Sequence, residues 1–448
     1  MRALVLEDSN FSAALSIVRA LGRLGHDVVV AAPQETPAGC SRWCGKHVLM
    51  PSPADPARYL EAVLSLLREC DCDIGFACDD PVVEILSRAR AALPPRPDFM
   101  LPPPGSFEIV RSKLATQRFA SSLGVPTPRT VAFDSVESLQ AAALELGFPC
   151  VMKDDQGFGG GHVRYLANGD DLLHAGAQFR AMRFKGRPMA QEFVPGGPDD
   201  VYMTQVLYHQ GELVAVCSHR KLRQFPLRGG TTARGVTVHE PALDDQVTRI
   251  FSALCWHGPA KADSKRDARD GSFRLLELDG RVGASFEIAA GAGLDFIDLC
   301  CRMVADGRVQ PALHYAPGTR RRMLVYDLLC LAARPSLLPA FLLDSVNPSV
   351  RSDFDWQDLP GSGALLRRWM WIFDDALRGG RLTAARPGAA PGKPGLGRRL
   401  HRSLLGLASG GLRAPRGLYH AAKLITHRRA KGGQPQPERH TASPGPAG

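Results

Sequence analysis

Apolar and polar residues alternate along the first hundred positions in a pattern that predicts short strands separated by amphipathic helices. The strand-like apolar runs cover residues 3–6, 27–32 and 73–78. The runs with helical spacing cover residues 11–24, 57–67 and 81–92. Because strands and helices alternate, we expect residues 1–100 to form an open parallel α/β domain.

The pattern changes after a proline-rich connection at residues 93–105. A helix is predicted over Phe107–Leu123, and mixed strands and helices follow, including a hairpin over residues 201–218. We therefore predict an α/β chain with a helical C-terminal part. Its four predicted parts are residues 1–100, 101–307, 308–377 (a helical extension) and 378–448 (a basic, Gly/Pro-rich and mostly disordered tail).

Composition and charge narrow the class of protein. Hydrophobic residues make up 44% and charged residues 22%, which is typical of a globular protein, and no apolar run approaches the ~18 residues of a membrane span. Eleven cysteines, an odd number, and the lack of a readable secretory signal favour reduced thiols and a cytoplasmic location.

The net charge of +10 belongs to the tail, because residues 378–448 carry 14 Lys and Arg but a single acid, whereas residues 1–377 sum to about −3. A weak peripheral contact of the tail with an anionic membrane or partner is the alternative to plain disorder. Nothing indicates specific nucleic-acid binding.

A lysine followed by glycines is the first candidate for chemistry. Lys153 ends a predicted strand, and Gly157, Gly159, Gly160 and Gly161 follow before the next strand. Glycines let backbone N–H groups approach phosphate, and the lysine supplies charge. An ordinary flexible hairpin loop is the alternative.

The second candidate is a hairpin near residue 270. Arg269–Gly271 fits a three-residue loop that pairs Ala268 with Ser272, and this register places Asp263 opposite Glu277.

Three carboxylates then crowd one patch. Side chains repeat every two residues along a strand, so Glu277, Asp279 and Arg281 share a face with Asp263. Like charges that close are costly unless a cation neutralises them, and Mg²⁺ prefers such oxygen ligands. A solvated acidic hairpin is the alternative, but apolar neighbours such as Leu275 weaken it.

These segments, together with Gln191–Gly196, resemble in order and spacing the ATP-grasp superfamily of carboxylate–amine ligases. Relatives in that superfamily include D-alanine–D-alanine ligase, biotin carboxylase and carbamoyl phosphate synthetase. The resemblance covers roughly residues 1–307. Within the superfamily, the Ser41–Cys44 segment is similar to a Ser-Arg-x-Cys-like segment in the first domain of a subgroup of bacterial ligases.

The resemblance implies a three-part ATP-grasp architecture and a set of site residues. Lys113 and Lys153 would contact phosphate, with the four glycines as a covering flap. The implied adenine hinge and ribose-binding acids are Gln191, Glu192, Phe193, Val194, and Asp199 or Asp200. The Glu277-x-Asp279-x-Arg281 element resembles the family's Glu-x-Asn-x-Arg, and the implied metal ligands are Asp263, Glu277 and Asp279.

The resemblance also implies an activity. ATP and one or two Mg²⁺ ions, or Mn²⁺ in their place, would activate a small-molecule carboxylate as an acyl-phosphate, and an amine would displace the phosphate. Arg281 and Lys153 are the implied catalytic residues, and Arg281 would also hold the substrate carboxylate. Lys221 and Arg223, in a basic run at the end of a predicted strand, are further candidates for substrate contacts, against the alternative of a solvated charged surface.

Some residues depart from the family pattern and keep other functions open. Asp279 replaces the usual Asn, and Asp154 and Asp155 stand where a Pro is typical. A degenerate ATP-binding sensor is therefore one alternative. Carboxylation or kinase-like phosphoryl transfer is another, and a scaffold acting through the basic tail is a third. At the end of the third strand, Asp80 before Pro81 is typical of a helix N-cap.

Overall fold

The computed structural model describes residues 1–156, 163–179, 184, 186–225, 227 and 229–377. The predicted flap glycines Gly157, Gly159, Gly160 and Gly161 and the predicted tail from residue 378 lie outside these ranges. The chain divides into two compact units, Met1–Trp371 and Ile372–Gly448.

The N-terminal region is a parallel four-stranded sheet with helices between its strands, as the alternation predicts. Its elements are β1 (Arg2–Leu6), α1 (Phe11–Arg23), β2 (Asp27–Ala32), β3 (Lys46–Leu49), α2 (Pro56–Glu69), β4 (Ile74–Ala77) and α3 (Asp80–Arg88). The strand order is β3-β2-β1-β4. The sequence pattern missed β3, because this four-residue edge strand has no buried residue and lacks an apolar signal.

Two short helices lie where the pattern predicts one. They are α4 (Pro104–Arg111) and α5 (Lys113–Ser122). The prediction of one continuous helix is wrong because Ser112 is extended and caps α5, its hydroxyl accepting a hydrogen bond from the Ala115 N–H at 3.1 Å. The break places Lys113 in the first turn of a helix.

A small antiparallel sheet follows, with its own apolar core. Its elements are β5 (Thr130–Ala132), α6 (Val136–Leu146), β6 (Cys150–Lys153), β7 (Arg164–Leu166), α7 (Gly169–Phe179) and β8 (Met189–Glu192). The strand order is β5-β8-β6-β7. Its core packs Phe133, Leu139 and Met152 separately from the cluster that joins the N-terminal sheet to the large sheet.

The large sheet has seven strands in the order β13-β12-β9-β10-β11-β14-β15. The strands and helices of this part are β9 (Val201–His209), β10 (Glu212–Phe225), β11 (Thr231–Thr237), α8 (Pro241–Ala253), β12 (Gly258–Arg266), β13 (Phe273–Asp279), α9 (Glu287–Gly291), α10 (Phe296–Asp306), β14 (Arg320–Arg322), α11 (Leu324–Ala333), α12 (Leu338–Val346), β15 (Val350–Ser352) and α13 (Leu359–Leu377). The predicted hairpin over residues 201–218 is confirmed. Besides helices, residues 308–377 contain β14 and β15, so this segment extends the large sheet. The sequence pattern did not predict these strands, because three residues are too few to show an alternation of apolar and polar positions.

The hairpin of β12 and β13 has the predicted register at Asp263, but its loop differs from the predicted one. Asp263 pairs with Glu277 as expected, and Lys261 pairs with Asp279. The loop is not the predicted one, however, because the Asp267 N–H donates to the Ser272 carbonyl at 2.8 Å. A bulge that leaves Leu276 unpaired restores the register.

The Ser41–Cys44 segment joins the first helix to the C-terminal part of the first unit. The Ser41 hydroxyl donates to Asp358 at 2.9 Å, and the guanidinium of Arg19 donates to the same carboxylate at 2.8 Å. Arg19 is buried and also donates to the Ser362 hydroxyl at 2.7 Å. This ion pair and its further hydrogen bonds tie residues 358–362, at the start of α13, to α1.

Among the described residues, none of the helices combines the length and the apolar character that crossing a lipid bilayer requires.

Candidate active site

The carboxylates of β12 and β13 each face a lysine from a different part of the chain. Asp263 accepts a hydrogen bond from Lys221 Nζ of β10 at 3.0 Å. Glu277 Oε2 lies 3.6 Å from Lys113 Nζ of α5. Asp279 contacts Lys261 Nζ of β12. The predicted acids and two of the predicted lysines therefore come together, and Lys261 joins them.

Helix α5 brings Lys113 to this patch. Gln117, one turn further along α5, donates to the Leu275 carbonyl of β13 at 3.0 Å, which holds the helix on the strand. The first turn of α5 is capped by Asp155, which accepts from the Leu114 N–H at 2.8 Å. Asp155, which departs from the family pattern, is thus used to orient the helix that carries Lys113.

Lys153 stands at the end of β6 and is a weakly basic lysine. Burial and the nearby Lys113 ammonium lower its pKa to about 8, although Glu277 and Asp155 favour its charged form. A bound anion such as a phosphate group would relieve this repulsion and keep Lys153 protonated.

Arg281 lies between the N-terminal sheet and β13. Its Nε donates to Asp80 at 2.7 Å and its Nη2 to Asp279 at 3.3 Å. Burial opposes its charge, but Asp80 and Asp279 outweigh that effect and raise the pKa of Arg281. Asp80 is therefore a partner of Arg281 and not the predicted cap of α3; Asp79 occupies the N-cap position.

A small cleft is lined by some of these groups. Its lining includes Asp80, Arg111, Lys113, Glu277 and Asp279. A larger cavity of about 560 Å³ lies elsewhere, against the proline-rich connection, and none of the predicted site residues lines it.

The predicted hinge residues already have protein partners. Gln191 donates to the Thr130 hydroxyl at 2.8 Å, and Glu192 accepts from Arg269 Nη1 at 2.5 Å. Lys265 Nζ donates to the Val194 carbonyl at 2.7 Å and lies 4.8 Å from the centre of the Phe193 ring. The side chain of Glu192 is thus tied to the β12–β13 loop.

The two predicted ribose acids lie at the start of β9. Asp199 accepts from Arg220 Nη2 at 2.8 Å, and half of its side chain is exposed. Asp200 accepts from the Gly197 N–H at 2.6 Å, which closes the turn before the strand. Asp199 is the more accessible of the two.

Arg223 points away from the lysine and acid patch. Its Nε and Nη2 donate to the two oxygens of Asp327 at 2.6 and 2.9 Å, and Nη2 also donates to Asp344 at 2.5 Å. The cause is a bulge in β10 between Lys221 and Arg223, which breaks the alternation that would place both on one face. We therefore leave Arg223 out of the proposed site.

The donor set suits a divalent cation shared with a phosphate group. Among the described residues, no group of three or more His, Cys, Asp and Glu could hold a metal alone. Asp263 is 9% exposed, however, and its Oδ1 is buried without a hydrogen-bond partner. Mg²⁺ commonly takes one or two carboxylates and completes its shell with phosphates and water, so Asp263 with Glu277 fits that role.

Similarity to known proteins supports the fold assigned above. The chain is 29% identical over 213 residues to the D-alanine–D-alanine ligase of Ectopseudomonas mendocina, a match that covers 44% of this chain and 66% of that enzyme. The chain thus spans slightly less than two thirds of that curated relative. No protein-family model matches this chain.

Solved structures extend the similarity to most of the described chain. The biotin carboxylase domain of Hydrogenobacter thermophilus 2-oxoglutarate carboxylase superposes with a TM-score of 0.58 at 16% identity, over 71% of this chain and 73% of that one. The L-amino acid ligase of Bacillus licheniformis gives 0.53 at 20% identity, over 69% and 77%. The fold is that of the ATP-grasp superfamily, and the predicted resemblance is confirmed. In sequence, the chain is similar to D-alanine–D-alanine ligases.

The sequence pattern did not single out one residue of this patch. Lys261 lies two positions before Asp263 on the same strand, so the alternation that grouped the acids would also have placed Lys261 on their face.

Proposed function

We propose that this protein is an ATP-dependent ligase that activates a small-molecule carboxylate and couples it to an amine. The observation that carries the proposal is the row of carboxylates on β12 and β13, each facing a lysine from a different element. Such an arrangement provides cations for phosphate groups and oxygen ligands for a divalent ion in one place. The similarity to named D-alanine–D-alanine ligases supports this chemistry.

The positions of the side chains support a set of nucleotide contacts. Lys113 and Lys153 would offset the negative charge of the phosphates, and Asp263 and Glu277 would hold Mg²⁺. When bound there, Mg²⁺ would offset negative charge that develops on the phosphate groups. The predicted hinge, ribose and flap residues remain part of this proposal; they are Gln191, Glu192, Phe193, Val194, Asp199, Asp200, Gly157, Gly159, Gly160 and Gly161.

The reaction would proceed in two displacements. A carboxylate oxygen of the substrate attacks the γ-phosphorus of ATP, ADP leaves, and an acyl-phosphate forms. The amine nitrogen then attacks the acyl carbon, the C–O bond to phosphate breaks, and the amine loses a proton. Arg281, held by Asp80 and Asp279, would orient the carboxylate and stabilise the transferring phosphoryl group.

Phosphate release by the purified protein tests the proposal. ATP, Mg²⁺ and pools of carboxylic acids and amines are supplied together and singly, with Glu277→Gln and the exposed-site control Glu212→Gln beside the wild type. We expect release that requires both an acid and an amine, that persists in Glu212→Gln and that is lost in Glu277→Gln. Release that is indifferent to the acid, or equal in Glu277→Gln, would contradict the proposal.

A second candidate function is an ATP sensor without turnover. It is favoured by one observation: both oxygens of Asp279 and the guanidinium of Arg281 already have protein partners, which leaves less capacity for a substrate. A protein that ATP stabilises against heat, but that releases no phosphate with any pool, would support the sensor over the ligase.

A further inference from the structure

Lys261 is a buried member of the patch formed by Asp263, Glu277 and Asp279. Lys261 is 8% exposed, and its alkyl chain runs against the backbone of Gly283. A Cβ atom at position 283 would lie 2.7 Å from Lys261 Cδ, closer than van der Waals contact allows. The glycine therefore leaves the room that the lysine fills, and the lysine ammonium reaches Asp279 Oδ2.

The two oxygens of Asp279 have different cationic partners, both supplied by the protein. Oδ2 contacts Lys261, and Oδ1 accepts from Arg281 Nη2 at 3.3 Å. Both cations lie within ion-pair distance of the carboxylate. Asp279 is therefore an anion whose charge is neutralised within the fold.

The other two carboxylates retain capacity for a ligand. Asp263 keeps Oδ1 buried and without a hydrogen-bond partner, and Glu277 has its lysine at the longer distance of 3.6 Å. A divalent ion at Asp279 would have to displace Lys261 or Arg281, because each of these cations already contacts one of the two carboxylate oxygens. Lys221 and Lys113 lie near Asp263 and Glu277, but they leave Asp263 Oδ1 without a hydrogen-bond partner. An ion at Asp263 and Glu277 would satisfy an oxygen that the protein leaves unsatisfied.

We propose that Lys261 acts as a fixed cation that takes Asp279 out of the metal site, so that the protein binds one divalent ion with each nucleotide, on Asp263 and Glu277. Lys261 then replaces by a side chain the positive charge that a second ion would supply. This inference rests on the proposed function, because it requires that a nucleotide binds here.

Counting bound Mn²⁺ tests it. The full-length protein is titrated with Mn²⁺ in the presence of a saturating, non-hydrolysable ATP analogue, and free Mn²⁺ is measured by electron paramagnetic resonance while bound analogue is measured in parallel. We expect one Mn²⁺ per bound analogue in the wild type. Lys261→Met removes the charge with little change in volume and should raise the ratio to two, whereas Lys261→Arg keeps the charge and should leave the ratio at one. Lys46→Met, at an exposed position on β3, is the matched control and should also give one.

The outcomes separate this inference from the proposed function. Two Mn²⁺ per analogue in the wild type would overturn the role of Lys261 and leave the ligase intact, and this result needs no variant to fold. An unchanged ratio of one in a folded Lys261→Met protein would overturn it equally. If the wild type binds no analogue at all, the proposed function fails and this inference fails with it.

Discussion

Lys221 and Arg223 are two residues apart on one strand, yet they belong to two different kinds of charged cluster. Arg223 lies in a closed network, where its guanidinium and that of Arg234 contact all four oxygens of Asp327 and Asp344. Lys221 lies in an open one, where the partner carboxylate of Asp263 keeps a buried oxygen without a hydrogen bond.

The difference indicates which cluster serves stability and which serves binding. In the closed network every carboxylate oxygen contacts a guanidinium, although Arg234 Nε has no hydrogen-bond partner, so loss of a cation is felt by the fold. In the open network a carboxylate oxygen lacks a partner, which costs stability in the free protein and is recovered when a cationic ligand binds. The bulge in β10 is what sends the two neighbouring cations to opposite clusters.

The largest expected effect comes from breaking the closed network. Arg223→Met leaves the buried carboxylate of Asp327 without its bidentate partner, and we expect the free energy of unfolding to fall by about 3–5 kcal/mol. Urea denaturation followed by circular dichroism measures it. Arg320→Met, at an exposed arginine of the same sheet, should change the free energy by less than ~1 kcal/mol. Equal stability of the two variants would show that the closed network does not hold the fold.

Removing the charge of Glu277, which pairs with Asp263 in the open cluster, should instead affect turnover. Glu277→Gln is expected to lower kcat by roughly 10²–10³-fold, the range seen when one electrostatic stabiliser is lost, with a change in the free energy of unfolding below ~1 kcal/mol. The pair of measurements is steady-state phosphate release and urea denaturation. A variant that unfolds more easily but turns over normally would reverse the comparison.

A smaller effect on catalysis is expected when the hydrogen bond between Asp80 of α3 and Arg281 is weakened. Asp80→Asn replaces the charge-assisted hydrogen bond to Arg281, worth ~1.5–3 kcal/mol, by a neutral one. Because Arg281 is proposed to orient the carboxylate, KM for the acid should rise about tenfold while kcat changes less. If only kcat changed and KM stayed the same, Asp80 would not help to position the substrate carboxylate through Arg281.

The smallest expected effect is a dependence of nucleotide affinity on pH. The folded protein holds the pKa of Lys153 at about 8, below its ordinary value, because burial and Lys113 disfavour the charge. Below pH 8 the lysine is protonated and attracts phosphate, whereas above pH 8 it loses its proton and the affinity for ATP should fall, by at most about tenfold per pH unit. Fluorescence titration with an ATP analogue between pH 7 and 9 measures it.

The variant Lys153→Arg carries a charge that does not titrate in this range and should remove the dependence. The same decline in affinity for the wild type and the variant would assign the effect to another group.

The grouping of Asp263, Glu277 and Asp279 could be predicted, because it depends only on the two-residue repeat of a strand and on one turn. The structure confirms the pairing of Asp263 with Glu277. The loop that produced this prediction was wrong, and the bulge at Leu276 compensated for it. Bulges have no clear signature in one sequence, so the same rule that placed Asp263 correctly misplaced Arg223.

The elements that the sequence pattern missed share a cause. The edge strand β3 and the three-residue strands β14 and β15 exist because a neighbouring strand offers them hydrogen bonds, and their own residues carry no periodic signal. Ser112 breaks a helix whose apolar pattern continues across it, since capping depends on the extended backbone at that one residue.

The pairing of Arg19 with Asp358 also sets an order of events during synthesis. The two residues are 339 positions apart, so the guanidinium of Arg19 in α1 does not have this counter-ion until Asp358 has been synthesised. At ~5–20 residues per second, that interval lasts roughly 20–70 s. Until then Arg19 lacks the groups that pair with it in the finished fold, and α1 reaches its final packing only after residues 353–362 have been synthesised.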